Sequence, residues 1–201
     1  MCNKDTNFQS YKYYPKSSQK RLGEGGLRFK DDFKKNLNKS PLITIITAVL
    51  NSEKYLEETI KSVINQSHKN FEYIIIDGGS TDNSLKIIDK YSNSIDYWIS
   101  EKDKGLYDAF NKGMQLASGD YIGILNSDDC YESNALKILN SYTSKFPDVD
   151  FIFGSVKKHW GVLYGYRPNK IHYSWGFYSS HSTGFFLKNS SAKKIGLYNI
   201  K

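Results

Sequence analysis

The sequence predicts an α/β fold in which a mostly parallel sheet is covered by helices on both faces. Two kinds of segment alternate along the chain from Pro41 onward. Apolar, β-branched runs such as "LITIITAVL" lack the polar alternation of a half-exposed strand, as expected for strands buried on both faces. Between them lie stretches whose apolar residues recur at helical spacing. Strands that alternate with helices indicate a Rossmann-like layout with right-handed crossovers.

The first two strand–helix units follow one another directly. "LITIITAVL" is the first predicted strand, and Asn51 or Ser52 can cap the helix that comes after it. The second predicted strand, "FEYIIID", ends at Asp77. After the turn "GGSTD" we expect a helix whose inner face carries Leu85 and Ile88.

The same order of elements then repeats. "IDYWIS" predicts a third strand, and the helix after it carries Leu106, Phe110 and Met114 on one side. "YIGILN" predicts a fourth strand, followed by a helix that begins at Ser133. "FIFGSV", directly after Asp150, predicts one further strand. The repetition is one of architecture, since the segments do not repeat in sequence.

The basic charge of the chain belongs to its N-terminal segment. Residues 1–40 contain ten Lys and Arg against four Asp and Glu, whereas residues 41–201 contain eighteen against seventeen. The N-terminal segment is also polar and poor in branched aliphatic residues, so it has little apolar surface to bury. We therefore expect a mobile, solvated extension over 1–40 and one domain over 41–201. Peripheral binding to an anionic membrane is the alternative use of this charge, and no nucleic-acid partner is expected because no binding motif organises it.

Cysteine content and hydropathy narrow the cellular setting. Cys2 and Cys130 are the only cysteines, which is too few for a disulfide framework and not the spacing of metal ligands. No apolar run is long enough to cross a bilayer, and the N-terminus lacks the apolar segment of a signal peptide. We therefore expect a soluble, cytoplasmic protein, with the inner face of the membrane as a further possible location.

Carboxylates follow three of the predicted strands at the points where those strands end. They are Asp77, Asp82, Glu101, Asp103, Asp128 and Asp129. In a parallel sheet the carboxyl ends of the strands meet at one edge, and ligands bind there. No P-loop lysine and no "GxGxxG" accompany these acids, so classical dinucleotide binding is disfavoured. Clustered carboxylates instead suggest a divalent cation that bridges the protein to a diphosphate.

Two long stretches carry a family resemblance. "TIITAVLNSEKYLEETIKSVINQSHKNFEYIIIDGGSTDNS" and "SEKDKGLYDAFNKGMQLASGDYIGILNSDD" resemble family 2 glycosyltransferases, which are inverting enzymes with a GT-A fold. The resemblance covers residues 41–156 densely and 157–201 loosely. It implies a nucleotide-sugar-binding half followed by an incomplete acceptor half. It also implies transfer of a sugar from a nucleotide-diphosphate donor to a saccharide or lipid-linked acceptor, in the synthesis of a surface polysaccharide.

The resemblance assigns the donor side of the site. The nucleotide sugar is expected to contact Ala48, Val49, Leu50, Asp77 and Asp103. Gly78 stands where the family often has a second acid, so the choice of base stays open. On the next helix, Asn111 and Lys112 resemble a block that packs beneath the donor. The alternative is that Asp108 and Lys112 pair on a solvated face and that Asn111 is a structural amide.

The segment "NSDD" resembles the D-x-D element of the family. Asp128 and Asp129 are then the expected ligands of Mg²⁺ or Mn²⁺, with Asp128 at the metal position of the element, and Asn126 replaces the first acid. An amide oxygen can still accept a hydrogen bond from a ribose hydroxyl, but the site carries one negative charge fewer. The alternative is that the two acids cap the next helix, because acids suit a helix N-terminus.

The acceptor side of the site is less well determined. His181, in "HSTGFF", resembles a positioning residue on this side, while the aromatic residues around it could simply form core. An inverting transfer also needs a carboxylate base, which the family places on chain that would follow Lys201. The chain therefore resembles a truncated catalytic domain.

Three functions remain open from the sequence. The first is a nucleotide-sugar-dependent glycosyltransferase, and the second is a noncatalytic nucleotide-binding or scaffold domain with the donor half of the site. The third is a glycoside hydrolase with two carboxylates flanking the scissile bond. Because Asp128 and Asp129 are neighbours on one loop, the third is disfavoured.

Overall fold

The structure, a computed structural model, describes residues 9–15, 20–34, 40–158, 161–163 and 182–200. The strands are β1 (Arg21–Gly25), β2 (Ile43–Val49), β3 (Phe71–Asp77), β4 (Tyr97–Glu101), β5 (Tyr121–Ile124), β6 (Phe151–Phe153), β7 (Val156–Lys158), β8 (Gly161–Leu163) and β9 (Phe185–Lys188). The α-helices are α1 (Leu56–Ile64), α2 (Ser84–Lys90), α3 (Leu106–Leu116), α4 (Ala135–Lys145) and α5 (Asn189–Ile195). Within the described ranges, no helix has both the length and the apolar composition needed to cross a membrane.

Seven of the described strands form one sheet in the order β1-β4-β3-β2-β5-β9-β6. The four central strands, β4, β3, β2 and β5, are parallel to one another. On either side of them, β1 is antiparallel to β4, and β9 is antiparallel to both β5 and β6. The predicted α/β fold with a mostly parallel sheet is therefore confirmed.

Helices pack on both faces of this sheet. One buried cluster joins α1, α2 and α4 to the face that carries Ile45, through Leu56, Ile88 and Leu136. The neighbouring residue Ile46 points to the opposite face, where it packs with Met114 of α3 and Ala192 of α5. A Cβ on Gly113 would collide with the Ile46 side chain, so the missing side chain lets α3 approach β2 closely. β2 and β3 are buried along their whole length, which explains their continuous apolar sequences.

The N-terminal segment differs from the expected mobile extension. β1 pairs with β4, and Arg28 is only 2% exposed. The Arg28 guanidinium donates hydrogen bonds to the Glu72 carboxylate at 2.6 Å and to the Leu116 carbonyl oxygen at 2.8 Å. The expected mobility does not fit residues 20–34, because strand pairing, a buried ion pair and the stacking of Phe29 on Tyr97 dock them on the sheet. Residues 1–8, 16–19 and 35–39 of the predicted extension lie outside the described ranges.

Several element boundaries also differ from those predicted. α1 begins at Leu56, and Asn51 instead adopts a left-handed φ of 49° and accepts a hydrogen bond from the Thr81 backbone N–H. α4 begins at Ala135 rather than at Ser133. The predicted strand "FIFGSV" is divided, since β6 pairs with β9 while β7 pairs with β8. The predicted cap at Asn51 is therefore wrong, because its side chain bonds to the loop after β3 and not to the N-terminus of α1.

Asp96, just before β4, provides a pH-dependent contribution to stability. It is 2% exposed, and its Oδ2 accepts a hydrogen bond from the Tyr73 backbone N–H at 2.7 Å. Burial, reinforced by nearby Glu72, raises the pKa of Asp96 to about 7 despite the Tyr73 N–H and the cations Lys34 and Arg28. Because this folded-state pKa lies above the unfolded value of about 3.9, the folded protein binds the extra proton and loses stability as pH rises from about 4 to about 7.

The variant Asp96→Asn is expected to remove this pH dependence, because the amide oxygen can still accept from Tyr73 but does not titrate in this range. At pH 8 it should be more stable than the wild type by on the order of 1 to 4 kcal/mol, with the gap closing toward pH 4. Urea unfolding of both proteins from pH 4 to pH 8 measures the difference between their free energies of unfolding at each pH. The contributions of all other titrating groups cancel in this difference. Parallel profiles for the two proteins would contradict the elevated pKa.

Candidate functional site

The candidate site lies at the edge of the sheet where β2, β3, β4 and β5 end. Val49, the last residue of β2, lies opposite Asp77 of β3, and the Gly78 backbone N–H donates to the Val49 carbonyl oxygen at 2.9 Å. Ala48 and Val49 are buried, whereas Leu50 is 58% exposed. Of these three predicted nucleotide contacts, Leu50 is therefore the one that offers its side chain to a ligand.

Asp77 is fully buried, and its carboxylate holds the edge together. Its Oδ2 accepts from the Ser100 hydroxyl at 2.5 Å and from the backbone N–H groups of Gly79 and Ser80. Its Oδ1 accepts from the Ser80 hydroxyl. These bonds join the loop after β3 to the end of β4. Because the carboxylate is also fully buried, a nucleobase would reach it only after this loop rearranged.

Asp103, in the loop after β4, lies against the backbone of Gly78. A Cβ at position 78 would be 2.5 Å from the Asp103 Oδ2, so glycine there makes room for the Asp103 carboxylate. The Oδ1 of Asp103 accepts from the Gly105 backbone N–H at 2.9 Å. Burial raises the pKa of Asp103, and Asp108 and Asp77 add to this, while the Gly105 N–H and Lys112 oppose it. The structure thus places this predicted donor contact next to Asp77.

Lys112 lies beneath the edge and not on a solvated face. It is 5% exposed, and its Nζ is 2.9 Å from the Glu101 Oε1 but 3.9 Å from the Asp108 Oδ2. Glu101, in turn, accepts from Arg21 of β1 at 3.3 Å. The alternative of a solvated pair is therefore wrong about the setting, since Asp108 and Lys112 do pair, but Lys112 is buried and Glu101 is its closer partner.

Asn111 fits the structural alternative that its sequence left open. Its Nδ2 donates to the Tyr198 carbonyl oxygen at 2.9 Å, and its Oδ1 accepts from the Tyr198 backbone N–H at 2.8 Å. Both ends of the amide are therefore used to hold the segment after α5 against α3. The Tyr198 ring packs on Tyr107 with a centroid distance of 5.2 Å.

The "NSDD" loop after β5 is held from two sides. Toward α1, the Thr59 hydroxyl donates to the Ser127 carbonyl oxygen at 2.9 Å, and the hydroxyls of Ser127 and Ser52 are 2.7 Å apart. Toward β9, the Thr183 hydroxyl donates to the Asp129 Oδ2, which also accepts from the Asn126 Nδ2 at 3.0 Å. We call these two sets of hydrogen bonds the loop clamp. It links elements that lie far apart in sequence.

Asp128 stands between the two sides of the clamp and is exposed. Among the described residues it has no hydrogen-bond or ion-pair partner, so its carboxylate faces solvent at the edge of the sheet. The alternative that Asp128 and Asp129 cap the next helix is wrong, since α4 begins at Ala135 and its N-terminus has no side-chain cap. An unpartnered, exposed carboxylate on a restrained loop is suited to bind a cation.

The chemistry of this loop fits a divalent ion that is shared with a ligand. In the described part of the chain, no three His, Cys, Asp or Glu side chains converge as a metal site. Mg²⁺ in phosphoryl-group sites characteristically takes one or two carboxylates and completes its shell with phosphate oxygens and water. Asp128 can supply such a carboxylate, while the Oδ2 of Asp129 is engaged by Thr183 and Asn126.

Sequence reasoning missed the residues that restrain the site. Ser127 and Thr183 lie within the quoted segments "NSDD" and "HSTGFF", but neither they nor Ser100 received a role from the sequence. His181 and Lys201 lie outside the described residues, as does the aromatic segment 164–180. The predicted acceptor side is thus represented in the structure by the turn Ser182–Gly184 and the elements after it.

Comparison with known proteins gives the family and the fold. A family model described as glycosyl transferase family 2 matches residues 44–197. The chain is 34% identical over 119 residues to glycosyltransferase GlyG of Streptococcus pneumoniae serotype 4, covering 58% of this chain and 39% of GlyG. It is 38% identical over 104 residues to TuaG of Bacillus subtilis, a glycosyltransferase assigned to teichuronic acid biosynthesis, covering 50% of this chain and 41% of TuaG. The chain thus spans about two fifths of the length of these relatives.

Solved glycosyltransferase structures share the architecture of the described sheet. S. aureus TarS 1–349 superposes with a TM-score of 0.62 at 21% identity, covering 76% of this chain and 48% of that one. The mannosyltransferase PcManGT of Pyrobaculum calidifontis, solved with GDP-Man and Mn²⁺, gives a TM-score of 0.63 at 16% identity, covering 87% and 53%. At these identities the likeness shows the fold, which is the GT-A fold. The family model matches residues 44–197, which include the whole edge of the sheet from Leu50 to Thr183. The chain therefore belongs to glycosyl transferase family 2.

Proposed function

We propose that this chain binds a nucleotide-diphosphate sugar at the carboxyl edge of its sheet and acts in the transfer of that sugar to a saccharide or lipid-linked acceptor. The observation that carries the proposal is the exposed Asp128 carboxylate, which the loop clamp holds at this edge in a family 2 chain. Solved relatives of the same fold carry UDP, UDP-GlcNAc, or GDP-Man with Mn²⁺. TuaG suggests a surface polysaccharide as the product.

The described residues take donor-side roles in this proposal. A bound Mg²⁺ or Mn²⁺ would neutralise negative charge on the departing diphosphate, with Asp128 as its protein ligand. Asp103 offers a carboxylate oxygen to the nucleoside, and Asn126 offers its amide oxygen to a ribose hydroxyl. The exposed Leu50 side chain packs against the nucleoside. Asp77 orders the loop behind these groups through its four donors. Asp129 supports Asp128 through the loop clamp.

The proposed transfer inverts the sugar at its anomeric carbon. The acceptor oxygen attacks that carbon from the side opposite the diphosphate, the bond from the carbon to the diphosphate oxygen breaks, and the acceptor proton passes to a base. We assign this base to none of the described acids. Asp77 and Glu101 are buried in the networks described above, and Asp128 and Asp129 belong to the donor side.

Calorimetric titration of the chain with UDP, GDP and dTDP sugars tests the proposal. Each donor is titrated once with Mn²⁺ and once with a chelator. We expect one nucleotide to bind at least about tenfold more tightly with the metal, since the ion bridges protein and diphosphate. Absence of binding by all three donors would contradict the donor site. Equal affinity with Mn²⁺ and with chelator would contradict the role of the metal. Donor binding without transfer to any added saccharide would favour the noncatalytic nucleotide-binding alternative.

A further inference from the structure

The loop clamp joins the "NSDD" loop to a turn that lies on the other side of the site. β5 ends at Ile124 and β9 begins at Phe185, and these two strands are antiparallel neighbours. The loop after β5 and the turn Ser182–Gly184 before β9 therefore lie at the same edge of the sheet. This geometry brings Thr183 to Asp129 across 54 residues of sequence.

The turn itself is firmly placed. Thr183 is 7% exposed, and the Gly184 carbonyl oxygen accepts from the Gly154 backbone N–H at 2.6 Å. A Cβ on Gly184 would lie 2.8 Å from the Gly154 carbonyl oxygen, so the two segments touch through their backbones. Behind the turn, the rings of Phe186 and Tyr131 stack at 5.9 Å. Thr183 thus projects its hydroxyl from a buried, well-packed position.

The Thr183 hydroxyl determines which way Asp129 faces. The Oδ2 of Asp129 accepts from Thr183 and from Asn126, and Asn126 also approaches the Ser182 hydroxyl at 3.4 Å. A carboxylate held by two donors on one oxygen has lost most of its freedom to rotate. Since Asp128 is the adjacent residue, fixing Asp129 on one side and Ser127 on the other fixes the backbone that presents the Asp128 carboxylate.

We propose that Thr183 is a positioning residue that orients Asp128 for the metal and the donor diphosphate by holding Asp129. The inference rests on the donor site proposed above. It extends that site to a segment on the acceptor side, so that the strength of metal binding depends on a residue that touches neither metal nor nucleotide. Partners behind a metal ligand characteristically contribute by limiting the orientations of the ligand.

The pair Thr183→Val and Thr183→Ser tests this role. Valine has nearly the shape of threonine but lacks the hydroxyl, whereas serine keeps it. We expect Thr183→Val to weaken metal-dependent nucleotide binding by about tenfold, the lower end of the range seen when direct partners of a metal ligand are removed, because Thr183 acts on Asp128 through Asp129. Thr183→Ser should restore affinity to near that of the wild type. With chelator present, all three proteins should bind the nucleotide equally.

Hydrogen exchange of the amides of residues 126–129 provides a readout that needs no ligand. Thr183→Val should speed their exchange, while Thr183→Ser and the amides of β2 should remain as in the wild type. Equal metal-dependent affinity in the wild type and Thr183→Val would overturn the inference and leave the donor site intact. If the wild type binds no nucleotide, the proposed function fails, and unchanged exchange in Thr183→Val would then overturn the inference separately.

Discussion

Replacing Arg28 with methionine is expected to lower the free energy of unfolding by about 3 to 5 kcal/mol, the usual cost of removing one partner from a buried ion pair. The Glu72 carboxylate would lose its 2.6 Å contact with the guanidinium while remaining 2% exposed. Hydrogen bonds from Thr44 and Ser118 to Glu72 would persist, which favours the lower half of this range. Urea unfolding at neutral pH, followed by tryptophan fluorescence, measures the change.

The matched control for this variant is Lys61→Met. Lys61 pairs with Glu57 at 3.0 Å on α1, but both side chains reach solvent, which screens the pair, so the loss should be far smaller than for Arg28→Met. Equal losses in the two variants would mean that residues 20–34 do not dock on the sheet in solution. The comparison therefore tests the position of the N-terminal segment as well as the strength of one ion pair.

The variant Asp128→Ala should abolish most of the advantage that Mn²⁺ gives to nucleotide binding. Removing groups that merely support a metal ligand costs about 10–100-fold in metal affinity, so loss of the ligand itself should cost at least as much. Because Asp128 is exposed and without a partner among the described residues, the substitution should leave the fold unchanged. Calorimetric titration with and without chelator separates the metal-dependent part of the affinity.

Asp89→Ala is the control for this second variant. Asp89 is also an exposed acid, but it lies in the last turn of α2, away from the carboxyl edge. It should bind nucleotide as the wild type does, in the presence and in the absence of Mn²⁺. If both variants lose affinity equally, the effect reflects net charge and the assignment of Asp128 to the metal fails.

The central strands could be predicted from sequence because burial on both faces leaves a direct mark on composition. Ile43–Val49 and Phe71–Asp77 read as continuous apolar runs for this reason. β1 left no such mark. Its Gly23 and Gly25 lack side chains where the ring of Trp98 packs, and a Cβ on either would lie 2.8 Å from that ring. The fit depends on the shape of a partner more than 70 residues away, which no local pattern records.

The convergence of the candidate site residues at one edge was predictable from the sequence, but the bonds between their segments were not. Asp77, Asp103 and Asp128 follow strands, and topology alone brings the ends of parallel strands together. The bonds between these segments depend on distances in the folded chain. Helical spacing favoured Asp108 as the partner of Lys112, yet Glu101 is closer because β4 ends beneath α3. The hydroxyl of Thr183 likewise gave no signal in the sequence.

The position of β1 also determines which backbone groups the sheet exposes at this edge. β1 pairs along β4 from Arg21 opposite Glu101 to Gly25 opposite Trp98. Without it, β4 would present a row of unpaired backbone N–H and C=O groups, which is a template for strand addition by another molecule. β1 is a poorer template than β4, because it contains Gly23 and Gly25 and its register is irregular between Arg21 and Gly23, whereas Tyr97, Trp98 and Ile99 of β4 are apolar and buried. The N-terminal segment therefore covers an edge of the sheet at which a second chain could otherwise pair.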